Sequence, residues 1–155
     1  EQRIIFAQLC MNPLDPRVAV AFSSASKALR ALTQAPRQQL QAEHEAAAAL
    51  GRKVGKQSCK ELREAKLVAW ALKGLSADDL ALLGRLGLAL PALETLALLE
   101  PTAGPDGVQR LAVGLGAGAL PAVNLFAVSG MHVGDAGASE LAAALGRGAL
   151  PRLKR

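Results

Sequence analysis

A short segment rich in glycine and lysine is the first place in this chain where residue types and spacing suggest chemistry. Residues 51–58 read GRKVGKQS, close to a loop that cradles phosphate groups with backbone N–H groups. Such a loop needs four residues between its glycines, a Lys followed directly by Ser or Thr, and a strand in front. Here three residues separate the glycines, Gln57 follows Lys56, and an alanine-rich helix is predicted in front. We interpret the segment as a helix end followed by a loop.

The histidines and cysteines do not group as metal ligands, or as a nucleophile with its base. His44 and His132 have no second ligand at metal spacing, and Cys10 and Cys59 stand far apart in the sequence without a CxxC motif. The GxSxG and HExxH motifs of hydrolases do not occur. We therefore predict that the protein is not an enzyme and has no catalytic, cofactor-binding or metal-binding residues.

Basic residues cluster between positions 52 and 66, interrupted by Glu61 and Glu64. A solvated helical face with Glu–Lys pairs, such as Glu61 with Lys66, accounts for this cluster. Nucleic-acid binding would also need stacking aromatic side chains, and the stretch has none. We expect no nucleic-acid partner, although the net charge of the chain is +5.

Residues 111–131 carry no charge, and their length is that of a membrane span, about 20 apolar residues. Pro121 and Asn124 lie near the centre of this run, with glycines around them, so we expect no membrane contact. No signal-peptide pattern opens the sequence, and the two cysteines form no disulfide framework. Both observations favour an intracellular location.

The composition predicts a folded core, because 51% of the residues are hydrophobic and only 20% are charged. The core is organised by a repeat, since the Leu-Pro dipeptide recurs at 90–91, 120–121 and 150–151. Residues 90–119 and 120–149 are identical at 12 of 30 positions. About three or four identities would be expected by chance for this composition.

Each repeat unit has two halves with different hydrophobic periods. The first half ends in alternating apolar residues, which indicates a short strand, and the second half carries one apolar stripe at helical spacing. The strand residues are Leu93, Leu96 and Leu98, and then Val123, Phe126 and Val128. The helix residues are Val108, Leu111, Ala112 and Leu115, and then Ala138, Leu141, Ala142 and Leu145.

Residues that begin and end helices flank the second half of each unit. Pro105 with Asp106, and Asp135 in the next copy, stand where a helix start favours a cap, a fixed φ or a carboxylate. Glycines at 116, 118, 146 and 148 are expected to end each helix and to adopt left-handed backbone.

These units resemble leucine-rich repeats of the long, ribonuclease-inhibitor-like type, with the pattern LPxLxxLxL…GxxGxxxLAxxLGxGA. The resemblance implies an α/β fold, a leucine-rich-repeat solenoid with parallel strands on one edge and helices behind. A purely helical repeat is the alternative, because Ala and Leu also favour helix at the strand positions. The family places Asn after each strand, whereas this chain has Pro101 and Met131 there, which puts the loop geometry in doubt.

The resemblance extends weakly towards residue 60. Leu67 to Trp70 predicts an edge strand, with Trp70 in the core, and Ser76 with Asp79 predicts a capping box that opens a helix through Leu80, Leu83 and Leu86. We therefore divide the solenoid, residues 60–155, into an edge unit and the units that follow it. These are the edge unit 60–89, repeats 90–119 and 120–149, and the start of a truncated repeat at 150–155.

By the same resemblance, the protein is a non-catalytic interaction module that binds a protein partner of unknown identity through its concave strand face. The positions exposed there are small or apolar for the most part, which favours contact burial over charge steering. They are Glu94, Thr95, Ala97 and Leu99 in one repeat and Asn124, Leu125, Ala127 and Ser129 in the next.

Residues 1–59 do not follow the repeat and predict several short helices that cap the solenoid. The expected starts are a helix at Ile4, Ile5 and Leu9, a second at Asp15 and Pro16, and a third at Pro36 that Gly51 closes.

The segment from Ile4 to Leu32 also resembles the F-box motif. The matching residues are Ile5, Phe6 and Leu9, the connector Leu14-Asp15-Pro16, and then Ser26, Lys27, Leu29, Arg30 and Leu32, with Leu29 in place of the usual aromatic residue. The resemblance implies the alternative that the chain is a substrate adaptor of a cullin ubiquitin ligase. A Skp-type adaptor would then contact Ile5, Phe6, Leu9, Leu14, Pro16 and Leu29.

The repeat pattern leaves the last strand and helix without a C-terminal neighbour. We expect Phe126, Leu141 and Leu145 to be partly uncovered, so that this open end pairs with missing repeats or with another chain.

Overall fold

A computed structural model describes residues 5, 8, 10, 12–25, 30, 31 and 33–154 of the chain. Short 3-10 turns lie at Leu86–Ala89 and Pro101–Ala103. In chain order the main elements are α1 (Arg17–Ser24), α2 (Gln34–Lys53), α3 (Cys59–Glu64), β1 (Leu67–Ala71), α4 (Ala77–Arg85), β2 (Thr95–Leu99), α5 (Gly104–Gly114), β3 (Leu125–Ser129) and α6 (Asp135–Gly146).

The three strands form one open, parallel sheet in the order β1–β2–β3. Leu67 lies opposite Thr95, and Thr95 lies opposite Leu125, so each strand pairs with the strand of the next unit along the chain. The prediction of an α/β fold with parallel strands is confirmed. A purely helical repeat is wrong for this chain, because the alternating apolar pattern outweighs the helix propensity of Ala and Leu.

A helix lies between each pair of strands, as parallel pairing requires. The chain runs β1–α4–β2–α5–β3–α6, and α5 packs between α4 and α6. Strand residues that face the helices are buried, including Val68, Trp70, Leu96 and Leu98. They join one apolar core with the buried helix residues, which include Leu80, Leu83, Val108, Leu111 and Leu115. The prediction that Trp70 is a core residue is confirmed.

Side-chain capping differs from helix to helix. The predicted capping box of α4 is present, because Ser76 and Asp79 exchange hydrogen bonds between side chain and backbone N–H. Burial raises the pKa of Asp79, but hydrogen bonds from Lys53 and from Ser76 outweigh burial, and the net effect lowers it. Asp106 and Asp135 lie in the first turns of α5 and α6 without forming a side-chain cap. Their carboxylates there interact favourably with the helix dipole.

Left-handed backbone occurs in the loops that lead into the strands. Gly118 and Gly148 have φ of 72° and 88°, as predicted. Gly116 and Gly146, for which the same conformation was predicted, do not adopt it; α5 already ends at Gly114, and Gly146 is the last residue of α6. The leucines of two Leu-Pro pairs are also left-handed, since Leu120 and Leu150 have φ of 53° and 52° and are both buried. This conformation costs a β-carbon-bearing residue about 1–2 kcal/mol, which burial of the leucine offsets.

Two glycines bring α4 and α5 into backbone contact. A Cβ added to Gly114 would lie 2.8 Å from the carbonyl oxygen of Ala81, and one added to Gly84 would clash with the carbonyl oxygen of Leu111. These glycines occupy equivalent positions in successive units, and Ala144 is buried at the next equivalent position, in α6. Small residues at this position of the unit therefore set how closely the helices pack.

The N-terminal helices differ from the predicted boundaries. Pro16 precedes α1 as its N-cap rather than lying at its first position, and α2 begins at Gln34, two residues before Pro36. Pro36 is tolerated because N–H groups in the first turn have no partner inside the helix. Gly51 is buried within α2, and the left-handed residue after the helix is Gly55. Of the residues predicted for the first helix, Ile5 is helical, and Ile4 and Leu9 lie outside the described residues.

The C-terminal half of α2 packs into the same core as the sheet. Leu50 and Val54, with Leu62 of α3, belong to the buried cluster that contains Val68 and Trp70. A salt bridge of 2.6 Å between Lys53 and Asp79 also joins the end of α2 to the start of α4. In the basic cluster, Lys60 pairs with Glu64 at 3.9 Å, which is a Glu–Lys pair of the predicted kind, but Lys66 contacts Glu94 at 3.8 Å in place of the predicted Glu61.

The C-terminal end of the sheet is less covered than its middle. Leu145 is 39% exposed, and Phe126 and Leu141 are half-buried, which confirms the expectation for these three residues. Ala138 and Ala142 are exposed as well, and α6 turns Gly137 and Ala144 inwards instead. Among the described helices, none is long and apolar enough to cross a membrane.

Substituting Gly84 with alanine tests the contact between α4 and α5. The added methyl group must push the helix backbones apart, which costs about 1–3 kcal/mol, whereas the better helix propensity of alanine returns at most about 1 kcal/mol. We expect Gly84→Ala to lower the free energy of unfolding, as measured by urea denaturation. Gly146→Ala is the matched control, because no atom lies within 4 Å of its added Cβ. Equal stability of the two variants would contradict the contact.

Candidate functional site

The side of the sheet that faces away from the helices is the candidate functional site. Successive strand residues point to opposite sides, so alternate residues of each strand share this surface. We call it the open strand face. It consists of Leu67, Ala69 and Ala71 of β1, Thr95, Ala97 and Leu99 of β2, and Leu125, Ala127 and Ser129 of β3. All nine residues are exposed or half-buried.

The register arranges these residues in three rows across the strands. The middle row contains Ala69, Ala97 and Ala127, which lie directly opposite one another. Their methyl groups leave a shallow groove of about 190 Å³ over β1, β2 and β3. Leu67 beside this row is 63% exposed, so the surface combines a low floor with an accessible apolar side chain. Such a surface suits the burial of a partner's apolar side chains.

Six of the eight residues predicted for partner contact lie on the open strand face. They are Thr95, Ala97, Leu99, Leu125, Ala127 and Ser129. Glu94 and Asn124 directly precede β2 and β3. The backbone N–H of Glu94 donates to the carbonyl oxygen of Lys66 at 2.7 Å, and that of Asn124 donates to the carbonyl oxygen of Glu94 at 2.9 Å. The exposed side chain of Glu94 pairs with Lys66, and a surface pair of this kind contributes little to stability. These two residues therefore border the face at the strand entrances.

The loop after β1 borders the opposite side of the face. Leu72 in this loop is 72% exposed and has φ of 54°, and Gly74 has φ of 70°. Thr102 donates its hydroxyl hydrogen to the carbonyl oxygen of Leu75 at 3.3 Å. The loop therefore holds an apolar side chain in the solvent beside the groove.

A buried carboxylate holds that loop. Glu100 is fully buried, and its carboxylate accepts hydrogen bonds from the backbone N–H groups of Lys73, Gly74 and Leu75 at 2.6, 3.1 and 3.2 Å. A charged acceptor strengthens such bonds, and three of them offset the cost of burying the charge. Glu100 thus accepts hydrogen bonds from loop amides of the preceding unit. An asparagine after the strand could have had this role, but the chain has Pro101 and Met131 at those positions.

Sequence reasoning missed Glu100, although a signal was present. Glu100 is the one charged residue between Glu94 and Asp106, and it directly follows an apolar strand. The equivalent positions after β1 and β3 are Leu72 and Gly130, so the repeat comparison could not reveal it. Only the fold shows that the carboxylate points to a loop of the preceding unit.

The residues predicted to bind a Skp-type adaptor are only partly within the described part of the chain. Ile5 is 47% exposed, and Pro16 is half-buried at the start of α1. Leu14 is 6% exposed and belongs to the main core, so it stabilises the fold and is not at the surface. Phe6, Leu9 and Leu29 lie outside the described residues.

The histidines and cysteines take structural positions where they are described. His44 of α2 donates from Nδ1 to the carbonyl oxygen of Pro13 at 2.6 Å, and His132 is exposed in the loop after β3. Burial raises the pKa of the unpaired Cys59 thiol, and burial together with Glu43 raises that of Cys10. Protonated thiols are poor nucleophiles. In the described ranges, no three His, Cys, Asp or Glu residues group as metal ligands.

Comparison with known proteins finds no matching family model, no matching curated protein and no matching solved structure.

Removal of the Glu100 carboxylate should loosen the loop after β1. We expect Glu100→Ala to lower the free energy of unfolding by about 1–3 kcal/mol, because backbone N–H groups lose a buried acceptor. Hydrogen exchange at the Leu75 amide should become faster in the same variant. Glu94→Ala is the matched control, a glutamate on the surface near the same strand, with an expected change of less than about 1 kcal/mol. If both variants unfold alike, the carboxylate does not hold the loop.

Proposed function

We propose that this chain is a leucine-rich-repeat module that binds a protein partner through the open strand face and catalyses no reaction. The observation that supports this proposal best is the register that lines up three alanines, Ala69, Ala97 and Ala127, in an accessible groove. A flat sheet surface without a deep pocket or convergent polar groups suits a protein partner better than a small substrate. The regular succession of strand–helix units, each paired with the next, further supports the family proposal.

The chemistry of the face favours recognition by apolar contact. The middle row is all alanine, and the row of Ala71, Leu99 and Ser129 adds a single hydroxyl to small or aliphatic side chains. The ionic groups near the face, Lys66 and Glu94, pair with each other at the strand entrances. Their charges therefore set the border of the face, whereas the burial of apolar surface supplies the binding energy.

The N-terminal helices act in this proposal as the cap of the solenoid. Solenoids need a terminal element that covers the apolar side of the first unit. Leu50, Val54 and Leu62 are buried in the core of the sheet, which suits this role.

Neither Cys10 nor Cys59 forms a disulfide, and we propose an intracellular location for that reason.

A bulky charge in the middle of the groove should abolish partner binding. Ala97→Arg places a guanidinium between Ala69 and Ala127 without removing a core side chain. We expect at least a tenfold weaker capture of the proteins that the wild-type chain selects from a library of displayed proteins. Val113→Arg is the control, because Val113 is 60% exposed on the helix side. Circular dichroism checks that both variants are folded.

Two outcomes of this experiment are informative. Loss of capture by Ala97→Arg alone places the partner on the open strand face. Unchanged capture by Ala97→Arg, with loss by Val113→Arg, would contradict the proposal and move the binding surface to the helices.

A second candidate function is that of an adaptor-binding F-box-like region, and exposed apolar residues near the N-terminus favour it. Ile5 is 47% exposed, and Val18 and Val20 of α1 are 60% and 42% exposed. Ala19 between them is buried against Leu40 in a small separate cluster, so α1 keeps contact with the fold and leaves both valines in the solvent. Exposed aliphatic side chains of this kind are suited to contact with a protein partner.

Binding of a purified Skp-type adaptor tests this second candidate. If it is correct, Val18→Asp should weaken adaptor binding at least tenfold, because it puts a charge into an apolar contact. Val113→Asp has the same exposure in the free chain and should have no effect. A folded wild-type chain that does not bind the adaptor in isothermal titration calorimetry would contradict the candidate and leave the helices as a cap.

A further inference from the structure

A polar cavity at the start of α2 is separate from the open strand face and from the exposed valines of α1. Its volume is about 470 Å³, and the described residues that line it are Arg30, Ala31, Gln34, Arg37, Gln38 and Gln41. Arg37 is half-buried, and the others are exposed. None of these lining residues is acidic, so guanidinium and amide groups meet the solvent together in one concave place.

The sequence around the cavity gives it a positive charge. Between Asp15 and Glu43 the chain has no acidic residue, whereas its basic residues there are Arg17, Lys27, Arg30 and Arg37. Arg17 pairs with Asp15 at 2.7 Å. In the described part of the chain, no ion pair involves Arg30 or Arg37. Both guanidinium groups are therefore available to an anion from outside the chain.

The lining residues of α2 share one face of the helix. Gln34, Arg37, Gln38 and Gln41 follow the spacing i, i+3, i+4 and i+7, which places them along one side. This stretch of helix is about 10 Å long, which matches about three residues of extended chain. Gln41 donates to Glu45 at 3.3 Å, whereas the amides of Gln34 and Gln38 have no partner among the described residues. A side-chain amide both donates and accepts, as a backbone peptide group does.

We propose that this cavity binds a short, extended acidic segment of a partner protein. Arg30 and Arg37 pair with carboxylates of the segment, because a planar guanidinium donates two parallel hydrogen bonds to a carboxylate. Gln34 and Gln38 exchange hydrogen bonds with its backbone. The proposal is independent of the open strand face, because no residue of that face lines the cavity.

Nucleic acid suits this cavity less well than an acidic protein segment. Proteins hold single strands by stacking bases on aromatic side chains, and none of the lining residues is aromatic. A nucleic acid also carries a charge on every nucleotide and is bound mainly through Lys and Arg. Half of the lining residues here are glutamines, which match a ligand that has peptide groups between its charges.

Binding of a dye-labelled hexaglutamate peptide to the full chain, measured by fluorescence anisotropy, tests the proposal. Replacement of both Arg30 and Arg37 by Gln should weaken binding about tenfold or more, because charge-assisted hydrogen bonds are lost. The matched control replaces Arg147 and Arg152 by Gln. These two arginines are exposed near the other end of the chain, and the control removes the same charge. Circular dichroism checks that all variants are folded.

The glutamine contact is tested with the same peptide. Gln38→Ala should weaken binding about fivefold, the effect of one lost hydrogen bond. Gln39→Ala is the control, because the Gln39 amide donates to Glu43 at 3.0 Å and does not line the cavity. Unchanged affinity in Gln38→Ala would overturn an extended segment as the occupant, since a ligand held by charge alone needs no amide.

The proposal predicts that the Arg30 and Arg37 variant loses binding while the control pair binds like the wild type. No binding by the folded wild-type chain, or equal loss in both pairs, would overturn it. Tighter binding of a thymine oligonucleotide through the same arginines would overturn it as well and make nucleic acid the occupant. Displacement of the peptide by an equal concentration of inorganic phosphate would replace the acidic segment with a phosphate ligand.

Discussion

The structure depends on a mismatch between two packing distances. Neighbouring strands lie about 4.8 Å apart, whereas packed helices lie about 8–10 Å apart, yet each unit contributes one strand and one helix. The helix layer must therefore pack as closely as its side chains allow, and Gly84 and Gly114 permit backbone contact between α4 and α5. The helices lie on one side of the sheet, so the row around Ala97 on the other side stays accessible, while Leu96 and Leu98 are buried against the helices.

Buried polar groups at the strand exits are the second constraint. A loop that leaves a buried strand exposes N–H groups that need acceptors. Glu100 supplies both carboxylate oxygens to the loop after β1, and this fixes the left-handed Leu72 beside the groove. The equivalent positions, Leu72 and Gly130, have no such acceptor, so this loop differs from the others in the sheet. The shape of the open strand face at β1 thus depends on one side chain of the next unit.

The sequence was sufficient to predict the features that recur in successive units. The alternation of Leu96 and Leu98 predicted a strand, and the regular recurrence of Leu-Pro predicted parallel neighbours, because both signals come from burial periodicity. Features that occur once, such as the Glu100 carboxylate, have no periodic signal and depend on contacts between units. Helix starts were predicted less well: α2 begins at Gln34, before Pro36, because proline is tolerated throughout the first turn, where N–H groups have no partner inside the helix. The small residues Gly84 and Gly114 were visible in the repeat, but only the packing gives them a role.

Methyl contacts across the strands are the most direct test of the central claim, that the register forms the row of alanines on the open strand face. In the folded chain, the methyl groups of Ala69 and Ala97, and those of Ala97 and Ala127, are one strand spacing apart, about 5 Å, whereas Ala69 and Ala127 are about 10 Å apart. We predict nuclear Overhauser effects for the first two pairs and none for the third. Contacts from Ala97 to Leu125 or Ser129 that replace the contact to Ala127 would contradict the register, and with it the proposed binding face.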